Sequence, residues 1–186
     1  DHELLEELNE GLIVLSGCAS GEIGVALKED DYDRARDIAK WYKSIFGDRY
    51  YLELQDHGHP KSNTHWDVQA KINEGLIKLS KELDIEMVVT CDGHYLTHEY
   101  QDAHEILLCV GTGSYLSDEK RMSLKDFELH LTDPRDIIDH WGEEFPEVIR
   151  NTKKIADRCD VEIELGRILI PKYPLPDGEN EHSYLL

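Results

Sequence analysis

The stretch Glu86-Met87-Val88-Val89-Thr90-Cys91-Asp92-Gly93-His94 sets a short apolar, β-branched run directly before an Asp-x-His loop. Such a run, four to eight residues long and flanked by amphipathic segments, is the pattern of a buried strand between helices. Working outward, the same reading predicts strands over about 12–15 and 50–54 and a weaker one over 127–131. Helices are expected over about 22–28, 32–46, 64–83, 99–111, 134–141 and 144–159, and the acidic opening DHELLEELNEG is helical in character. Asp31 and Asn63 are suited to cap helix starts, Gly47 to stop a helix, and Asp133-Pro134 to provide a cap followed by proline at the first helical position. Strands alternating with helices indicate an α/β fold.

In α/β sheets, reactive side chains gather where strands end and loops begin. Three such ends are suggestive: Ser16-Gly17-Cys18, Asp56-His57-Gly58-His59 and Cys91-Asp92-Gly93-His94. A spacing of two in an extended segment places Asp92 and His94 on one side of the backbone, and Gly93 leaves room beside them. Carboxylate plus imidazole suits zinc or manganese, and a Cys18 thiolate would favour zinc. The same residues also read as a loop-capping aspartate, a surface histidine and a small buried thiol. His57 and His59 are either a second pair or a solvated turn. Asp102, His104 and Glu105 sit within a helix, where capping, an ion pair or support of a neighbouring site accounts for them more simply than ligation. Cys91, Cys109 and Cys159 are assigned to packing.

Composition narrows the function classes. The 186 residues suffice for one sizeable core. Forty acidic against 20 basic residues give a formal charge of −20, a field that repels phosphate backbones. Four widely spaced cysteines fit neither a disulfide scaffold nor a CxxC zinc module and read as reduced cytosolic thiols. No apolar run is long enough to span a bilayer, and no secretory pattern opens the chain, so a cytoplasmic location is expected. A start at Asp1 rather than Met suggests a piece of a longer protein. Phosphate-loop, nucleophile-elbow, HExxH and dinucleotide signatures are missing. From Arg167 onward, RILIPKYPLPDGENEH holds three of the six prolines and reads as an extended linker.

Six collinear segments, GLIVLSGCASGEI, FGDRYYLELQDHG, EMVVTCDGHYL, DAHEILLCVGTG, ADRCDVEIELGRILIPKYPLPDGE and SYLL, resemble the alpha subunit of bacterial DNA polymerase III over nearly the whole chain. The resemblance implies that residues 1–162 are the C-terminal part of a PHP (polymerase and histidinol phosphatase) domain, a distorted (β/α)7 barrel, and that 163–186 connect toward the polymerase palm. It carries over Cys18, Asp92 and His94 as metal ligands and places the family's earlier ligands before Asp1; His57, Asp56 and His104 are, from the residues themselves, candidates for a supporting place near that site. Cys91 departs from the family's more usual asparagine.

The implied chemistry is that of a metal-dependent phosphoesterase or 3′–5′ exonuclease using zinc or manganese. Polymerase carboxylates and their magnesium lie outside this chain, so the fragment has no catalytic residue of its own and is expected to be inactive. DNA and deoxynucleotides would meet other domains of the parent, and a proofreading exonuclease subunit is a candidate partner. Two other readings stand beside this one: a stand-alone phosphatase of the histidinol-phosphatase kind, and a non-catalytic scaffold. The charge predicts negligible duplex-DNA affinity at physiological salt, and a gel shift at micromolar protein would contradict it.

Overall fold

The computed structural model describes residues 2–62, 66–126, 129–167, 169–171 and 173–185. Its centre is a three-stranded parallel sheet of β1 (Val14–Leu15), β2 (Tyr50–Gln55) and β3 (Met87–Thr90), in that spatial order. Val14 pairs with Tyr50 on one side of β2, and Leu52 through Gln55 pair with Met87 through Thr90 on the other. Because all three strands run the same way, their carboxyl ends open on one rim.

In chain order, the helices among the described residues are α1 (His2–Glu7), α2 (Glu22–Lys28), α3 (Tyr32–Phe46), α4 (Asp67–Leu83), α5 (Gln101–Thr112), α6 (Pro134–Trp141), α7 (Pro146–Arg158) and α8 (Glu181–Leu185). In α4, Ile72, Leu76 and Leu79 recur at helical spacing and are buried with Leu52, Leu54, Met87 and Val89 of the sheet and with Ala35, Ala39 and Phe46 of α3. Polar side chains close the backbone bonds the strands leave open. Asn73 of α4 accepts from the Gln55 amide at 3.3 Å and donates to the Gln55 carbonyl at 2.9 Å. Asn151 of α7 donates to the Met87 carbonyl at 2.7 Å. These strand backbone groups are thereby paired, as burial demands.

The expected α/β class is what forms, with local signals read correctly at several ends. Asp31 accepts from the Arg34 amide at 3.1 Å, Gly47 leaves α3 with φ of 56°, and Asp133 accepts from the Arg135 amide at 2.8 Å ahead of Pro134. Other boundaries moved. The first strand is Val14–Leu15 only, and α5 starts at Gln101 after a 3-10 turn over His98–Tyr100. The helix expected from 64 begins at Asp67 with Trp66 in the cap position, while Asn63 and Thr64 lie outside the described residues. Of the weak strand at 127–131, residues 127 and 128 also lie outside them, and the remainder forms a single parallel bridge between Tyr95 and His130.

The segment after α5 is tied down by one carboxylate. Glu105 is 1% exposed and accepts from Arg121 at 2.6 Å, the Ser123 hydroxyl at 2.8 Å and the Leu124 amide at 2.8 Å. Burial opposes its ionisation, but the Leu124 amide, Arg121 and Ser123 outweigh burial and bring it down to about 2 from an ordinary 4.5. A carboxyl with a depressed folded-state value stabilises the fold fully above about 4.5, and that share is lost as pH falls through about 2. Glu105→Gln should therefore cost about 1–2 kcal/mol at pH 7, with Arg121 partly reaching solvent. In urea melts, the gap to the parent chain should narrow steadily below pH 4.5; a gap independent of pH would contradict the assignment.

Candidate functional site at the carboxyl rim of the sheet

Beyond β1, the chain turns through Gly17, whose φ is 77°, into Cys18. The Cys18 carbonyl accepts from the Gly21 amide at 2.9 Å, and Gly24 of α2 lies so close that an added Cβ would stand 2.5 Å from the Cys18 carbonyl oxygen. Glycine at 24 is therefore what lets this loop seat on the helix. The Cys18 residue itself is exposed.

Glu53, in the middle of β2, ties the rim together. It accepts from the Gly17 amide at 3.2 Å with one oxygen and from the Thr90 hydroxyl at 2.8 Å with the other. It thereby links the loop carrying Cys18 to the residue before Cys91. Sequence reading missed Glu53; its signal is a lone charge in an otherwise uncharged strand.

Past β3, Asp92 takes a left-handed conformation with φ of 47°, so the loop is turned, not extended as the spacing argument supposed. The turn still brings the pair together: His94 Nε2 and Asp92 Oδ1 are 3.4 Å apart. Two donors on one tetrahedral ion with bonds of about 2.0–2.1 Å stand roughly 3.4 Å apart, so this pair fits one divalent ion. On its other side, His94 Nδ1 lies 3.4 Å from His104 Nε2 of α5. Gly93 is not sterically required, since an added Cβ would make only ordinary contacts at 3.8 Å.

Cys18 does not join this pair. Among the described residues, no three His, Cys, Asp or Glu side chains form a group that could hold a metal ion. The cause is the strand order: β2 separates the Cys18 loop from the Asp92 loop, so they leave the sheet two strand spacings, roughly 10 Å, apart. All three expected ligands occupy one rim, with two of them in mutual reach.

Asp56, His57 and Gly58 are buried rather than part of a solvated turn, with Asp56 4% and His57 5% exposed, and His59 is half-buried. Asp56 accepts from Trp141 Nε1 at 2.6 Å and faces His140 Nδ1 at 3.0 Å, clamping the end of α6 to the end of β2. His57 lies against Trp66, with ring centroids 5.9 Å apart. Burial lowers His57 below the ordinary imidazole value, against the pull of Asp92. His59 instead stacks on His140, with centroids 5.3 Å apart, and lies tilted against Trp141, at 4.6 Å and 56°. Its value is lowered by burial and then by His140. Gly58 is required here, since an added Cβ would lie 2.7 Å from the Gln69 backbone. Asp102 pairs with Lys125, as the ion-pair reading expected.

A family model described as the PHP domain matches residues 1–57. The chain is 37% identical over 188 aligned residues to the DNA polymerase III subunit alpha of Deinococcus radiodurans, covering 97% of the chain and 13% of that protein. It is 36% identical over 193 residues to the subunit of Thermus aquaticus, covering 100% and 15%. For Mycobacterium tuberculosis the identity is 33% over 188 residues, covering 100% and 15%. The chain thus spans only 13 to 15% of the length of these relatives. Among the described residues, no helix is long and apolar enough to cross a membrane.

Truncating the Asp56 clamp leaves the Trp141 indole N–H buried without its acceptor. Asp56→Ala should cost about 2–3 kcal/mol, and Asp56→Asn, which keeps one acceptor oxygen, clearly less. Equal melting temperatures for the two variants would argue against the clamp.

Proposed function

The chain belongs to the DNA polymerase III alpha-subunit family, and from that premise we propose that it serves as the later part of a PHP domain, residues 1–162, followed by a connection toward the palm over residues 163–186. The parent would then be a cytoplasmic replicative polymerase, joining deoxynucleotides on a DNA template with magnesium held by domains outside this chain. Within that parent, the rim described above contributes Asp92 and His94 to a zinc or manganese site, with Cys18 approaching from the far side of β2. The observation that carries this reading is the 3.4 Å pairing of the Asp92 carboxylate with His94 Nε2 at the carboxyl rim, in a chain matched end to end by alpha subunits.

A bound divalent ion supplies positive charge that neutralises a phosphate diester, the chemistry of a phosphoesterase or 3′–5′ exonuclease. The chain's own part is to present a carboxylate oxygen and an imidazole nitrogen in a turn anchored to β3. Glu53 holds the loop on the far side of β2 in register with it.

The scaffold reading draws support from the separation of Cys18 from that pair. On that reading the barrel braces the polymerase and receives a proofreading subunit.

Equilibrium dialysis of the chain against zinc or manganese, followed by elemental analysis, separates the two. Asp92→Ala combined with His94→Ala should remove one bound ion per chain. Metal content equal to that of the parent chain would remove these residues from the site and leave the scaffold.

A further inference from the structure

His94 has two ring nitrogens, and the structure gives each a different neighbour. Nε2 faces Asp92 Oδ1 at 3.4 Å, and Nδ1 faces His104 Nε2 at 3.4 Å. A neutral imidazole that gives Nε2 to a cation carries its proton on Nδ1. That proton then points at His104 Nε2, which accepts it when the His104 proton sits on its own Nδ1.

From this geometry we infer that His104 is a positioning residue for the Asp92–His94 pair, fixing the ring orientation and tautomer of His94 so that Nε2 is the nitrogen offered to a divalent cation. The inference rests on the reading of Asp92 and His94 as cation ligands given above.

The surroundings of His104 suit that task. It projects from α5, and the next residue, Glu105, is buried and bonded to Arg121, Ser123 and Leu124. The helix turn bearing His104 is therefore anchored independently of the loop it supports. The two imidazoles meet edge to face, with centroids 5.2 Å apart and planes at 79°, which directs a ring nitrogen of one toward the other. Tyr95 packs beside His104 at 5.3 Å, and the Tyr95 amide and carbonyl are tied to Leu129 and Leu131. These bonds hold the backbone that follows His94. An outer partner of this kind commonly changes metal affinity by about 10–100-fold.

Zinc titration of the 186-residue chain in competition with a coloured chelator tests the inference, using His94→Ala, His104→Ala and His104→Gln. The expected result is loss of the site in His94→Ala and about tenfold weaker zinc binding in His104→Ala. His104→Gln, whose carbonyl can still accept from Nδ1, should stay within about threefold of the parent chain. Long-range proton–nitrogen spectra of the zinc-loaded parent chain should show one His94 tautomer, protonated at Nδ1, and a less uniform signal in His104→Ala.

If His104→Ala binds zinc as tightly as the parent chain while His94→Ala does not, the role of His104 is overturned and the ligand reading stands. Equal weakening by alanine and glutamine would mark His104 as packing alone and also overturn it. Unchanged binding in His94→Ala would remove the ligand reading and the inference together.

Discussion

Parallel pairing on both sides of β2 is the constraint from which the rest follows. Every residue of Tyr50–Gln55 except Glu53 is buried, and the two ladders of this strand fix the direction and level of both neighbours. Because the strands run the same way, the Cys18 loop, the Asp56 segment and the Asp92 loop all emerge on one rim. Because β2 lies between the others, it also sets the gap between the first and third of these loops. Glu53 spans that gap from within the strand, touching Gly17 on one side and Thr90 on the other.

The helices are fastened to this frame by buried polar groups as well as by apolar packing. Asn73 and Asn151 complete strand backbone bonds, Asp56 receives the indole of Trp141, and Glu105 gathers three donors from the segment after α5. Asn151 and Asp56 join residues 64 and 85 positions apart, while Asn73 and Glu105 tie neighbouring segments together. In a chain with a formal charge of −20, the two buried carboxylates among them are each surrounded by donors, and the surplus negative charge is left to the surface.

Much of this organisation was legible in the residues. Helical periodicity located α3, α4 and α7, and Asp31, Gly47 and the Asp133-Pro134 pair announced their ends through backbone chemistry that acts locally. The carboxyl-rim placement of Cys18, Asp92 and His94 also followed from strands ending before polar loops. What sequence could not supply were facts decided by distant partners. Asp56-His57-Gly58 looks like a solvated turn because its polarity is visible, while the Trp141 and His140 that bury it come more than 80 residues later. Glu53 resembles any strand charge until Gly17 and Thr90 are seen against it. The separation of Cys18 from Asp92 depends on which strand lies in the middle, and local pattern carries no record of strand order.

The backbone at position 92 acts as a filter on side-chain identity that operates before any question of charge. A φ of 47° admits glycine, asparagine and aspartate readily and penalises the longer glutamate as well as β-branched residues. Of the tolerated set, aspartate alone brings an anion to the rim, so lengthening the acid by one methylene is not a conservative exchange here. Asparagine, by contrast, would keep the turn and erase the charge in a single step. An Asp92→Asn exchange would thus leave the fold undisturbed, and the loop would go on presenting His94 from an unchanged path.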